Sequence, residues 1–172
     1  MAATPRKRTV SSAQAAENLA WVKRHFGHVW PATQTLLLSF GGQACGIQEV
    51  LYDEAMFLRR ATVFRPPVRR VPGTPNRCHD NVHVLTASTA GLRGCTGFAL
   101  ALNQSGVDLW LAHSWALDPD GQVTETTVPF SVYCGMVLEP HERDLYLDTS
   151  WDPLDSSAPS AKKSWKRPAA KP

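Results

Sequence analysis

Apolar side chains recur with helical spacing near the start of the chain. Leu19, Val22 and Phe26 are separated by about one helical turn each, and Ser11 precedes them as an N-cap candidate. This is the spacing of the buried face of an amphipathic helix, and serine is a favoured residue at a helix start. The pattern therefore predicts a first helix over residues 12–26.

The next segments differ in how clearly their patterns predict structure. Residues 47–60 place their apolar side chains on one face and are predicted to form a second helix. "TQTLLLSF", residues 33–40, is short and apolar, and its periodicity does not distinguish helix from strand. Residues 64–76 contain four prolines and are predicted to be an extended connection. Asn76 ends that connection as an N-cap, which predicts a third helix over residues 77–89.

Beyond residue 94 the hydrophobic period changes from that of a helix to that of a strand. Residues 107–118 alternate well, residues 95–102 alternate loosely, and "DPDG" at 118–121 is a turn sequence. Residues 122–128 and 129–139 are then predicted to be returning strands. One face of the best strand carries Leu109, Leu111, His113, Trp115 and Leu117.

Helices followed by a meander of strands predict an α+β fold, with N-terminal helices packed on one side of a small antiparallel sheet. Residues 11–149 are predicted to form one domain, helical over 11–75 and a cysteine-bearing helix plus sheet over 76–149. Residues 1–10 and 150–172 are rich in Pro, Ala, Ser and basic residues and are predicted to be disordered tails. No apolar run is long enough for a membrane span or a secretory signal, so we expect a cytoplasmic protein without membrane contact.

The charges are distributed unevenly along the chain. Residues 1–77 carry 11 Lys and Arg against 4 Asp and Glu, residues 78–155 carry 2 against 11, and residues 156–172 carry 5 against none. Much of the basic charge thus lies in the two predicted tails rather than on one folded face. We expect solvated tails, or tails that make weak, salt-sensitive contacts with nucleic acid or an acidic partner.

Among four cysteines, only Cys78 falls in the first turn of a predicted helix. Free backbone N–H groups and the helix dipole favour an anion at that position, so the thiol there is predicted to be reactive. Cys95 and Cys134 fall in apolar runs and are predicted to be buried and inert, and Cys45 has no informative surroundings. No CxxC pair is present, and no cofactor is predicted.

A nucleophilic thiol needs a base, and His113 is the candidate because an unpartnered histidine is costly on an apolar strand face. The alternative is a structural histidine in the core. If the turn at residues 118–121 closes with a glycine bulge, Asp118 pairs with Gln122. Glu125 then lies diagonally across from His113 and is within reach of its imidazole.

Metal binding is a second interpretation of the same region. His79 and His83 are four residues apart, as in zinc-binding helices, and His113 or Glu125 would supply a third ligand. However, His79 lies about 100° around the helix from Cys78. If Cys78 points at the sheet, we expect both histidines to be exposed polar side chains instead.

The segments "NRCHDNV", "HSWALDPDGQVTETT" and "VYCGMVL" resemble transglutaminase-like and NlpC/P60-like cysteine hydrolases, which share a papain-like core, and uncharacterised phage-associated proteins. The resemblance covers residues 76–138. It implies a papain-like fold in which Cys78 is the nucleophile, His113 the base and Glu125 the orienting acid, at a position where Asp is more usual. Asn81, or a backbone N–H near Cys78, is the candidate for stabilising the oxyanion, and Trp115 is a candidate supporting residue.

Two functions follow from this pattern. The first is a cysteine hydrolase or acyltransferase acting on an amide, isopeptide or thioester. The second is a non-catalytic accessory or inhibitory binding protein on the same fold, acting in the host cytoplasm if it is phage-encoded. Cysteine reactivity discriminates between them, since only the first function needs one fast-reacting thiol.

Overall fold

The computed structural model describes residues 10–47 and 52–147 of the 172-residue chain, and these form five helices and seven strands. The helices are α1 (Ser12–Phe26), α2 (Pro31–Ser39), α3 (Glu54–Arg60), α4 (Cys78–Ser88) and α5 (Pro140–Tyr146). The strands are β1 (Ala44–Gly46), β2 (Thr62–Phe64), β3 (Val68–Arg70), β4 (Arg93–Gln104), β5 (Val107–Leu117), β6 (Val123–Glu125) and β7 (Tyr133–Val137).

The N-terminal helices agree with the sequence patterns only in part. α1 has the predicted bounds, and the Ser11 side chain caps it by accepting a hydrogen bond from the Gln14 N–H. The ambiguous apolar stretch forms α2. The helix predicted over residues 47–60 is wrong at its start, because α3 begins only after Asp53, whose carboxylate caps it. Residues 48–51 of that prediction lie outside the described residues.

The strands form one mixed sheet in the order β2-β7-β4-β5-β6-β3, and β1 adds to β5. The α+β class is confirmed. The prediction of an antiparallel sheet is wrong for two pairs, because β1 runs parallel to β5 and β3 runs parallel to β6. Both parallel strands have only three residues. Such short segments carry too little alternation to be recognised in the sequence.

The sheet is curled, so that its two ends come close together. β2 and β3 lie at opposite ends of the strand order, yet only residues 65–67 connect them. A linker of that length spans at most about 14 Å. The curl encloses an apolar cluster of Cys95, Ala99, Trp115, Leu117, Val123 and Tyr133.

The opposite face of the sheet carries most of the helices. α2 and α3 contribute Leu37 and Phe57 to a cluster around Phe98 and Trp110, whereas α4 packs Val82 against Ala116. The prediction that the helices share one side holds for these elements and fails for α1. Val22 of α1 packs with Ala44, Val107 and Leu109, whose side chains alternate onto the other face.

The β5–β6 hairpin has the register that the turn sequence predicted. The Asp118 N–H donates to the Gln122 carbonyl at 3.0 Å, and Gly121 has a φ of 82°. Ala116 pairs with Thr124 and Leu117 with Val123. The positive φ at this bulge suits glycine. The bulge in turn sets which side chains of the two strands share a face.

Two glycines face each other where β4 pairs with β7, and the second of them makes room for a tryptophan. Gly97 pairs with Gly135, and a Cβ at Gly135 would collide with the Thr96 carbonyl and the Trp115 ring. The indole of Trp115 therefore packs against bare backbone, two residues along the strand from His113.

We expect Gly135→Ala to destabilise the protein by about 1–3 kcal/mol, because the added methyl group overpacks this contact. Urea denaturation followed by tryptophan fluorescence measures the change. Gly121→Ala is the matched control for steric overlap, since nothing lies within 4 Å of the Cβ that it adds. At that position only the positive φ opposes the substitution. Equal stability of Gly135→Ala and the unmodified protein would contradict the assigned packing.

Of the predicted tails, only Val10 falls within the described residues, and residues 1–9 and 150–172 lie outside them. Within residues 10–47 and 52–147, no helix combines the length and apolarity needed to cross a membrane.

Candidate active site

The loop before α4 brings Cys78 to the end of β6. The Val71 N–H donates to the Glu125 carbonyl at 2.9 Å, and the Gly73 N–H donates to the Thr126 carbonyl at 2.8 Å. The chain that follows β3 thus continues along β6 before it turns into the helix. Cys78 is the first residue of α4, as predicted for a thiol in the first helical turn.

The predicted N-cap is wrong. Asn76 has a φ of 60°, and Arg77 occupies the cap position without a capping hydrogen bond from its side chain. The Arg77 guanidinium instead forms an ion pair with Asp80 in the first turn. A carboxylate in the first turn is favourable beside the positive end of the helix dipole.

Asn81 anchors the loop. Its Oδ1 accepts a hydrogen bond from the Thr74 N–H at 3.0 Å, and its Nδ2 donates to the Thr74 carbonyl at 2.8 Å. Gly73 packs directly against the same amide, so a Cβ there would lie 2.6 Å from Asn81 Nδ2. Because its Oδ1 and one hydrogen of its Nδ2 are bonded to Thr74, the Asn81 amide holds the loop.

A gap in strand pairing exposes β5 to Cys78. β1 pairs with residues 109–111 and β6 with residues 116–117, so within the described part of the chain residues 112–115 pair only with β4. Hydrogen bonding by the backbone N–H groups of Ser114, in this gap, and of His79 lowers the pKa of the Cys78 thiol. Backbone donors of this kind favour the thiolate over the thiol.

The structure brings Cys78, His113 and Glu125 together in one hydrogen-bonded chain. His113 Nε2 lies 2.8 Å from Glu125 Oε2, and the two side chains are 6% and 0% exposed. The His113 imidazole is also hydrogen-bonded to the Cys78 thiol. Since Nε2 contacts Glu125, the other ring nitrogen, Nδ1, is left for the sulfur. The predicted diagonal contact between His113 and Glu125 is confirmed.

The Glu125 carboxylate is fully hydrogen-bonded. Its Oε1 accepts from the Thr126 N–H at 2.8 Å and from the Thr127 N–H and hydroxyl at 2.8 and 3.0 Å. Its Oε2 accepts from the Tyr133 hydroxyl at 3.1 Å, besides its contact with His113. These donors explain how a carboxylate is held in the protein interior. The role of Tyr133 was not predicted, because it depends on the packing of β7 inside the curl.

The electrostatic interactions among Cys78, His113 and Glu125 favour a thiolate on Cys78 and an imidazolium on His113. Burial lowers the pKa of His113, but hydrogen bonds with Cys78 and Glu125 and their charges raise it more, to about 9. Burial raises the pKa of Cys78, but the bond and charge of His113 and the backbone donors outweigh it, so the pKa falls below its ordinary value. Burial likewise raises the pKa of Glu125, and its partners lower it further than burial raises it.

Aromatic rings line the buried side of His113. Phe130 meets the imidazole edge-on with 4.8 Å between ring centres, and Trp115 stacks nearly parallel to it at 6.3 Å. Trp115 also packs against Phe64 and Tyr133, so it belongs to the core enclosed by the sheet. These rings restrict the tilt of the imidazole and keep water from the His113–Glu125 bond. Phe130 carries no sequence signal of this role.

The two histidines of the metal interpretation have separate partners. His79 Nδ1 lies 2.6 Å from Ser114 Oγ, whereas His83 Nδ1 lies 3.9 Å from Asp144 Oδ1 of α5. The prediction that both histidines are exposed is wrong, because both side chains are half-buried, His79 beside Ser114 of β5 and His83 near Asp144 of α5. Within residues 10–47 and 52–147, no three His, Cys, Asp or Glu side chains are grouped to hold a metal ion.

The remaining cysteines have thiols that burial makes unreactive. Burial raises the pKa of Cys45 to about 12 and of Cys134 to about 11, and it raises the pKa of Cys95 as well. All three are buried, whereas Cys78 is only partly so. The burial predicted for Cys95 and Cys134 is confirmed, and Cys45, whose surroundings were uninformative in the sequence, is buried as well.

No family model, curated protein or solved structure matches the chain.

Proposed function

We propose that the protein is a cysteine hydrolase or acyltransferase that acts on an amide, isopeptide or thioester through Cys78, His113 and Glu125. The observation that carries the proposal is the continuous chain of hydrogen bonds from the thiol through His113 to a buried carboxylate. A nucleophile, a base and a group that orients the base are the three parts that nucleophilic catalysis requires.

In the first half of the reaction the Cys78 thiolate attacks the substrate carbonyl carbon. A carbon–sulfur bond forms, and the carbonyl π electrons move to oxygen. When the carbonyl reforms, the bond to the leaving nitrogen or sulfur breaks, and the His113 imidazolium gives its Nδ1 proton to that atom. The products are an S-acyl Cys78 and a neutral His113.

In the second half the neutral His113 accepts a proton from the acyl acceptor. Water makes the enzyme a hydrolase, and an amine makes it an acyltransferase. The acceptor atom bonds to the acyl carbon, the carbon–sulfur bond breaks, and its electron pair returns to Cys78 as thiolate. The imidazolium is restored, so the cycle closes without any further reactant. Glu125 keeps the ring in place and compensates its charge in both halves.

The oxyanion is assigned to backbone donors rather than to Asn81. The first N–H groups of a helix lack partners within the helix, and Cys78 is the first residue of α4. The Cys78 N–H belongs to both this first turn and the nucleophile itself, and it is therefore the preferred candidate. The papain-like core implied by the resemblance is part of the proposal. Its support is the order of nucleophile, base and acid along the chain and the helix that starts at the nucleophile.

Acyl-enzyme formation tests the proposal. The full chain is incubated with a panel of small thioesters, activated esters and anilides, and intact and peptide mass spectrometry locates any acyl group. We expect a stoichiometric acyl adduct on Cys78, and none on Cys45, Cys95 or Cys134, whose thiols are buried.

His113→Ala is the informative variant, because loss of the imidazolium raises the pKa of Cys78 and removes the proton donor. We expect alkylation of Cys78 by iodoacetamide at pH 7 to slow by about tenfold or more. The unmodified protein should lose acyl transfer as pH rises through about 9, where His113 deprotonates. Failure of every substrate class to acylate Cys78 would refute the proposed function and favour the binding-protein interpretation. Alkylation no faster than that of a free thiol would in addition show that the thiol is not activated.

A further inference from the structure

A second polar chain lies on the face of β5 opposite to His113. Ser114 Oγ lies 2.6 Å from His79 Nδ1 and 3.2 Å from Thr96 Oγ1. Thr96 is in turn hydrogen-bonded to the Tyr52 hydroxyl. Ser114, Thr96 and Tyr52 are buried, so this chain joins the start of α4 to the core beneath it.

The His79 ring is held at one nitrogen by Ser114. Its Nδ1 lies 2.6 Å from the Ser114 hydroxyl, which donates or accepts according to the tautomer of the ring. Burial and the nearby charge of His113 lower the pKa of His79, so its ring is neutral where His113 is charged. The two histidines beside Cys78 thus have different protonation states.

His79 and Ser114 are linked to Cys78 through their backbones and to each other through their side chains. Hydrogen bonding by the backbone N–H of each residue lowers the pKa of Cys78, and His79 Nδ1 lies 2.6 Å from Ser114 Oγ. The contacts therefore close a ring that runs from the sulfur to Ser114, across to His79 and back to the sulfur. Sliding of α4 along β5 would break at least one of these bonds.

We propose that His79 and Ser114 form a clamp that positions the Cys78 sulfur against two backbone donors, so that both are positioning residues for the proposed acyl transfer. The role of the clamp in catalysis rests on the proposed function, since the clamp acts on the same nucleophile. Its effect on the position and charge of the Cys78 sulfur does not depend on any substrate.

The pH dependence of Cys78 alkylation by iodoacetamide tests the clamp on the full chain. Among titratable side chains, His113 of β5 acts on the Cys78 sulfur directly, and Glu125 of β6 acts on His113. On α4 itself, the charge of Asp80 acts on the His79 ring. In Ser114→Ala and in His79→Ala we expect the midpoint of the alkylation profile to rise by about one pH unit, which is about a tenfold slower reaction below the midpoint.

His79→Asn is the rescue variant, because the asparagine amide offers both a hydrogen-bond donor and an acceptor near the position of Nδ1. We expect it to retain the profile of the unmodified protein. Ser88→Ala is the matched control at the other end of α4, where the hydroxyl bonds only to helix carbonyls. If Ser114→Ala does not fold, the half-buried His79→Ala and His79→Asn pair decides the question.

Superimposable profiles for the unmodified protein, His79→Ala and His79→Asn would overturn the clamp. A shifted profile in His79→Ala that His79→Asn restores supports it. Failure of the proposed function gives a different result. Alkylation of Cys78 would then still have a low midpoint pH that depends on His79 and Ser114, yet no substrate class would acylate Cys78.

Discussion

Cys78→Ser should abolish turnover, with a fall of at least about 10⁴-fold in kcat/KM, while the protein keeps its fold. A hydroxyl has a far higher pKa than a thiol, and no interaction at this site lowers it enough to give an alkoxide near neutral pH. Serine is tolerated at a helix start, and the residue is only partly buried. The measurement is kcat/KM on whichever substrate acylates the unmodified protein, beside a thermal melt that confirms folding.

Cys45→Ala is the matched control for this substitution. Its thiol is buried in the apolar core beside Trp110, and its pKa is raised to about 12, so it takes no part in the proposed chemistry. We expect a modest loss of stability and unchanged kcat/KM. Activity that survives in Cys78→Ser would remove the triad from the function and leave a binding role on the same fold as the remaining interpretation.

The relation between His113 and Glu125 was predictable from the sequence because a turn fixes it. Gly121 in "DPDG" fits the positive φ of a bulge, and the bulge sets which side chains of β5 and β6 share a face. A shift of one residue would have sent Glu125 to the opposite face. The unusual cost of a histidine among apolar side chains then identified His113 as one end of a contact.

Other features depend on tertiary contacts that leave no local pattern. β2 and β3 are three residues each, and β3 lies beside β6 only because the sheet curls. Asn76 was a plausible cap by residue type, yet the loop held by Asn81 and Thr74 delays the helix until Cys78. His79 faces the sheet because Ser114 offers it a partner there, which helical geometry alone does not reveal.

Glu125→Ala should be the most destabilising substitution in the site. Removing one partner of a buried pair costs about 3–5 kcal/mol, because the remaining groups are left desolvated and unpaired. Here the groups left without a partner are the His113 ring, the Tyr133 hydroxyl and the backbone N–H groups from which the carboxylate accepts hydrogen bonds. Urea denaturation at pH 7 should therefore show a midpoint far below that of the unmodified protein.

Glu125→Gln separates shape from charge at the same position. The amide oxygen still accepts from Thr126 and Thr127, so the expected loss of stability is smaller than for Glu125→Ala. Without the carboxylate charge the pKa of His113 falls, and acyl transfer should decline at a lower pH than in the unmodified protein. Asp120→Ala, an exposed carboxylate on the same hairpin, is the control for charge removal and should change stability by less than about 0.5 kcal/mol.

The stability that Glu125 provides should also depend on pH in a defined direction. Its folded pKa lies below the ordinary value of 4.5, so the contribution is fully present above that value and is lost as pH falls through the folded pKa. The difference in free energy of unfolding between the unmodified protein and Glu125→Gln should accordingly become smaller in acid.

A loss of less than about 1 kcal/mol in the free energy of unfolding of Glu125→Ala at pH 7 would contradict the assigned role of the carboxylate. Glu125 would then not be the buried anchor of the triad, and its ion pair with His113 would not set the protonation state of Cys78.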